Sequence, residues 1–221
     1  VTQSSIEPGV PVETPKRRRW PWIVAGVLAL VLIPIGILGV PILLHHNKGL
    51  SHQEPSATRW PLTATARGDD GRTRTLAVTG ANGTTVDTSA LTVGEQLVVT
   101  GSGYDGSRGI YVALCVIPTD NTGKPGPCVG GVPSQQQQTV APGTVQYAAS
   151  NWINDDWAWK LFGARSYNDL AAGTFTAYIE VGSPTGDGFD CTKQACGIFT
   201  RNDHTALTDR VQDVHVPIAW K

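Results

Sequence analysis

"DCTKQACGIFTRNDHTALTDRVQDVHVPIAW", from Asp190 to Trp220, sets two cysteines five positions apart and then runs into an alternating, strand-like tail. In "VQDVHVPI" His215 falls out of phase with Val214 and Val216, the two-residue period of a half-buried strand. The Cys191/Cys196 pair admits a zinc, a redox or a structural reading. Zinc knuckles and redox pairs favour two intervening residues, whereas four separate Cys191 from Cys196. The pair is therefore read as a staple. The other two cysteines, Cys115 and Cys128, flank "VIPTDNTGKPGP", whose Asp, Asn, Gly and Pro residues let a chain fold back on itself. Local pairing, Cys115 with Cys128 and Cys191 with Cys196, is the expectation. The rival bridge from Cys115 to Cys191 across two sheets would go with a Trp soon after the first cysteine, and the next Trp is Trp152.

The alternation extends back along the chain. "RTLAVTGAN", "LTVGEQLVVTGSGY", "GIYVALCVI", "GTVQYAAS", "GTFTAYIEVG", "CGIFTRND" and "VQDVHVPIAW" are rich in Val, Thr, Tyr and Ile and are punctuated by Gly, Asn, Asp and Pro. In "TFTAYIEV", Phe175, Ala177, Ile179 and Val181 alternate with Thr174, Thr176, Tyr178 and Glu180. Seven short strands predict an all-β, antiparallel β-sandwich over 73–221. Helical periodicity is confined to a short stretch around 157–171, and "QQQQ" at 135–138 reads as a small loop insert.

The first third is different. From Trp20 to Leu44 there are 25 residues without a charge, long enough as a helix to cross a hydrocarbon core about 30 Å thick. The run exceeds the apolar core of a signal peptide and no small-residue cleavage pattern follows it, so 20–44 is read as a retained transmembrane helix. "KRRR" at 16–19 predicts a cytoplasmic N-terminal tail over 1–19 and an extracytoplasmic C-terminal domain, a single pass through the plasma membrane. Residues 45–72 read as a juxtamembrane linker. Export suits an even number of cysteines. A formal net charge of −1 excludes a general nucleic-acid binder.

Chemistry-bearing motifs are sparse. There is no GxSxG, HExxH or phosphate-cradling glycine loop, and Asp69/Asp70 and Asp155/Asp156 are sequence neighbours that point apart on a strand. The expectation is a non-enzymatic protein without catalytic residues, metal or cofactor. The candidate ligand-binding residues are Trp152, Trp157, Trp159, Phe162 and Tyr167, read as one loop insertion beside Asp155, Asp156, Lys160 and Arg165, together with His204 in "TRNDHTALTDR". Exposed rings flanked by charge suit a hydrophobic small molecule, a glycan or an envelope protein. The blander reading makes the rings a cap on an open end of the sandwich and the 201–210 loop a hairpin pinned by Asp–Arg pairs.

"TVGEQLVVTGSGYDGSRGIYVALC", the local second cysteine, "GTFTAYIEV" and "DGFDCTKQACGIFTRNDH…VHVPI" together resemble the neocarzinostatin family over about 74–220. The resemblance implies an Ig-like seven-stranded sandwich with two local disulfides and a cleft for a flat chromophore. "GIYVALC" and "KPGPC" also resemble neocarzinostatin-like modules of actinobacterial envelope proteins, some found alongside haem-uptake proteins. Two departures bear on ligand identity. Val116 and Ile117 stand where the family lines its cleft with an aromatic, and the family's carriers are secreted rather than anchored.

Overall fold

The computed structural model describes residues 20–120, 122–130 and 145–221. The expected cytoplasmic tail, with its basic run at 16–19, and the glutamine run at 135–138 lie outside them. The described chain forms two units, which are taken separately.

In the first unit a single helix, α1 (Trp20–Leu43), runs through Pro34. Its 24 residues give a length of about 36 Å at 1.5 Å per residue. Its 20–37 window has a mean hydropathy of 2.2. By length and composition it is able to cross a membrane.

The second unit, His45–Lys221, is all-β and antiparallel. One sheet has the order β1 (Ser51–Gln53), β2 (Thr63–Gly68), β3 (Thr73–Gly80), β4 (Gln96–Ser102) and β7 (Phe175–Glu180). The other has the order β11 (Val214–Ile218), β10 (Cys196–Asn202), β5 (Ile110–Val116) and β6 (Ser150–Ile153). A small hairpin joins β8 (Thr185–Gly186) to β9 (Phe189–Asp190), and one helical turn, α2 (Trp157–Lys160), follows β6.

The period-two reading explains which faces meet. Leu76, Val78, Leu97, Val99, Phe175, Ala177 and Ile179 of the first sheet join Ile110, Val112, Leu114, Ile153, Ile198, Val214 and Val216 of the second in one buried core. Along β11 the burial alternates as expected, with His215 and Pro217 on the outer face. At about 1.5–3 kcal/mol for each fully buried large apolar side chain, this core is the main driving force for folding. Both local disulfides are present, Cys115–Cys128 and Cys191–Cys196. Each loop closure contributes roughly 2–3 kcal/mol by restricting the unfolded chain.

Two boundaries differ from expectation. The segment 45–72, read as a linker, belongs to the β-rich unit and carries β1 and β2, so nine strands rather than seven build the two main sheets among the described residues. Residues 51–53 are tied down by a side chain as well as by the β1–β2 ladder. Gln53 donates to the His215 carbonyl at 2.9 Å and accepts from the His215 amide at 2.9 Å, clamping β1 onto the exposed edge of β11. Of the strand expected at 143–150, residues 143–144 lie outside the described residues, and among the others β6 begins only at Ser150.

Candidate functional site

Strand alternation sends Tyr111, Ala113 and Cys115 of β5, Phe199 and Arg201 of β10, and His215 of β11 to the outer face of the four-stranded sheet. Two features are built on that face.

The first is a ring cluster. Tyr111 lies directly across from Trp152 in the β5–β6 ladder, with ring centroids 5.9 Å apart. His204 packs at 5.2 Å from Trp152 and 4.8 Å from Trp159, and its Nδ1 is 2.8 Å from the Tyr111 hydroxyl. Trp159 reaches Phe162 at 6.2 Å. The Arg201 guanidinium sits 5.5 Å above the Tyr111 ring, where the π face attracts a cation. Burial pushes the Tyr111 phenol up to about 12, with Asp203 adding to the shift.

Asp203 anchors the cluster. Its Oδ2 accepts from Trp152 Nε1 and from Asn154 Nδ2, both at 2.9 Å, and its Oδ1 accepts from the amide and hydroxyl of Thr205. Gly109 leaves the space for this, because a Cβ there would stand 1.9 Å from Asp203 Oδ2. The 201–210 loop is pinned by such bonds. Asn202 Nδ2 donates to the Asp209 carbonyl at 3.0 Å, and Arg210 pairs with Asp213 at 3.1 Å.

The predicted site residues therefore divide. Trp152, Trp159, Phe162 and His204 come together. Trp152 is not in a loop; it lies in β6 and is 5% exposed. Tyr167 does not share the cluster, being buried at its core end, where its hydroxyl donates to the Arg108 carbonyl at 2.9 Å and its ring meets Phe175 at 6.3 Å. Trp157 stands out to solvent at 70% exposure, followed by Leu161 at 65% and Phe162 at 50%. One turn of helix holds it, capped by Asp156 Oδ1 accepting from the Ala158 amide at 2.9 Å. Tyr111 was missed, although the alternation of "GIYVALC" already turned it away from Ile110 and Val112, and Arg201 was read only as part of the 201–210 loop.

The second feature is a cavity of about 380 Å³ lying beside the first disulfide. Its residues include Phe199, His215, Ile117, Pro118, Asp213 and Ser51. Phe199 and His215 face each other across the β10–β11 ladder, stacked at 4.6 Å and 23°. His52, also at the rim, pairs with Asp69 at 2.8 Å, and His45 pairs with Asp209 at 3.1 Å, so those two histidines serve different carboxylates.

Two groups at this cavity titrate in opposite senses. Burial lowers His215 from 6.5 to about 4, and burial raises Asp213 from 3.8 to about 7 against the opposing pull of Arg210 and Arg201. The folded state prefers a neutral His215, so that contribution is complete above 6.5 and is lost as pH falls toward 4. It also prefers a protonated Asp213, so that contribution is complete below 3.8 and is lost as pH rises through 7. The two offset one another between these limits. Asp213→Asn is expected to uncover the histidine slope, losing up to about 3 kcal/mol between pH 6.5 and 4 relative to its own neutral value. His215→Phe is expected to tilt the other way and gain stability on acidification. Thermal unfolding across that range measures both, and slopes of the same sign would refute the assignment.

No protein-family model matches the chain, and no solved structure matches it. A curated Corynebacterium glutamicum protein named "Thiamine biosynthesis protein X" is 33% identical to it over 134 residues. The match covers 61% of this chain and 61% of that protein, so the chain spans less than two thirds of the relative's length.

Proposed function

We propose that this protein is a non-enzymatic binding module of the cell envelope, anchored by α1 as a single-pass plasma-membrane protein and displaying an Ig-like, neocarzinostatin-like sandwich outside the membrane. The observation that carries this reading is the split character of the 152–162 region. Trp152 and Trp159 are fixed by rings and hydrogen bonds, while Trp157, Leu161 and Phe162 project apolar surface from that rigid base. A rigid frame with an exposed aromatic patch at its end is how β-sandwiches commonly bind partners. Two local disulfides suit an extracytoplasmic setting.

The test is a titration of the full chain in lipid nanodiscs, followed by Trp fluorescence, against haem, a flat aromatic polyketide, cell-wall glycan and thiamine. Trp157→Ala is expected to weaken the responding ligand by about thirtyfold, a hot-spot loss, while changing stability by no more than about 0.5 kcal/mol. An unchanged affinity in Trp157→Ala would remove the patch from the site.

A second reading, a small-molecule sequestering protein, is favoured by the cavity beside the first disulfide, whose size suits a small ligand. Ile117 takes the place of the aromatic expected in the resembling family, but Phe199 and His215 supply a ring surface from the neighbouring strands. The name of the Corynebacterium glutamicum relative is the reason thiamine belongs among the ligands tried.

A further inference from the structure

Two residues that line the cavity beside the first disulfide each carry a buried polar atom that no described residue satisfies. Asp213 Oδ2 accepts from Arg210 Nη1 at 3.1 Å, but Asp213 Oδ1 is buried without a donor. Ser51 Oγ, from β1, is likewise buried and unpartnered. Both residues line the same space, although 162 positions separate them in sequence. Native interiors leave few such atoms, because each unsatisfied group costs about 1–3 kcal/mol. A ligand in the cavity would complete both once the Ser51 hydroxyl and the Asp213 carboxyl rotate toward it.

The surroundings select the ligand. Phe199 and His215 present stacked rings, a surface that favours a planar ring by offset or edge contact. Ile117 and Pro118 make an apolar wall. Arg210 already balances the Asp213 charge, with Arg201 close enough to act on it, so a second cation gains little there. Above a pH of about 7, where Asp213 is ionised, its free carboxylate oxygen calls for a neutral N–H. The Ser51 hydroxyl is able to donate to a ring nitrogen. A space of about 380 Å³ accommodates one ring or a fused pair.

We propose that this cavity is a subsite for a small, neutral, planar heterocycle bearing an amino group next to a ring nitrogen. The heterocycle lies against Phe199 and His215, its amino group donates to Asp213, and its ring nitrogen accepts from Ser51. This deepens the small-molecule reading given above and rests on it. Burial of an oxygen without a donor also accounts for the raised Asp213 carboxyl.

The experiment compares 4-aminoquinazoline with quinazoline, which has the same rings and no donor, by ligand-observed NMR on the full chain in nanodiscs, with empty nanodiscs subtracted and at a pH of about 8.5, where Asp213 is ionised. The amino compound is expected to bind about tenfold more tightly, the usual worth of a hydrogen bond to a charged group. In Asp213→Asn the amide oxygen keeps Arg210 and the amide nitrogen replaces the acceptor, so the preference should fall to about threefold or less. Ser51→Ala, a change that leaves the ion pair intact, should weaken 4-aminoquinazoline by about three- to tenfold. Near-UV circular dichroism confirms that each variant is folded. Equal binding of both probes, lost together in Phe199→Leu, would overturn the donor requirement and leave the small-molecule reading standing. Binding of neither probe would overturn the subsite, while the haem and polyketide titrations decide the broader reading separately.

Discussion

Arg74→Ala is expected to lower the unfolding free energy by about 3–5 kcal/mol, the range for removing one partner of a buried ion pair. Arg74 is fully buried on β3, and its guanidinium grips Asp70 through two bonds of 3.0 and 2.6 Å. Burial alone would raise the Asp70 carboxyl, but the hydrogen bond and charge of Arg74 outweigh it and hold the group below its ordinary value. Gly68 makes room for the pair, since a Cβ there would lie 2.5 Å from both Arg74 Nη1 and Asp70 Oδ1. The pair also reaches the functional face. Arg74 Nε approaches Gln212 Oε1 at 3.4 Å, the same oxygen accepts from the Asp105 amide at 2.7 Å, and Gln212 Nε2 donates to Asn202 Oδ1 at 2.8 Å. Loss of Arg74 therefore strands Asp70 and loosens the residue immediately before Asp213. Arg74→Met keeps the packed stem without the charge and is expected to cost less than alanine. Urea unfolding checks the order, and a cost below about 1 kcal/mol for Arg74→Ala would mean that water replaces the guanidinium without penalty.

The all-β body was legible where strands bury one face only, as β3, β4, β7 and β11 do. In "TFTAYIEV" and "VQDVHVPI" the two-residue period states which side chains enter the core, and they do. β2 escaped notice for a physical reason. "TATARG" buries Ala64 and Ala66, side chains too small to mark a face, and ends on a glycine that serves the Arg74–Asp70 pair. β1 spans only three residues and is fixed by Gln53 reaching a strand 162 positions away, a contact no local pattern encodes. The same distance hides the cavity, whose Ser51 and Asp213 look like ordinary polar residues until the sheets close. The Cys115–Cys128 bridge was readable since turn-forming residues lie between its cysteines, and Cys191–Cys196 from its short spacing; the partner of Trp152 was not, because ladder register depends on both strands.

Trp152→Ala is expected to cost about 3–5 kcal/mol, as large-to-small changes of buried aromatics do. The indole is 5% exposed, touches Tyr111, Trp159 and His204, and donates its only proton to Asp203. Its removal opens a hole under the cluster and leaves Asp203 Oδ2 with Asn154 alone. Trp152→Phe, which keeps a ring but not the N–H, is expected to cost about 1–3 kcal/mol for the lost charge-assisted bond to Asp203. Trp157→Ala, at the start of α2 and mostly in solvent, should leave stability within about 0.5 kcal/mol. Chemical denaturation of the three variants thus separates the part of the insertion that caps the sheet from the part available to a partner. A small effect at Trp152 would return that ring to the binding surface. The expected large one makes it the base that holds Trp159 and His204 in place, so that a ligand meeting Trp157 and Phe162 finds them on a frame already ordered before it arrives.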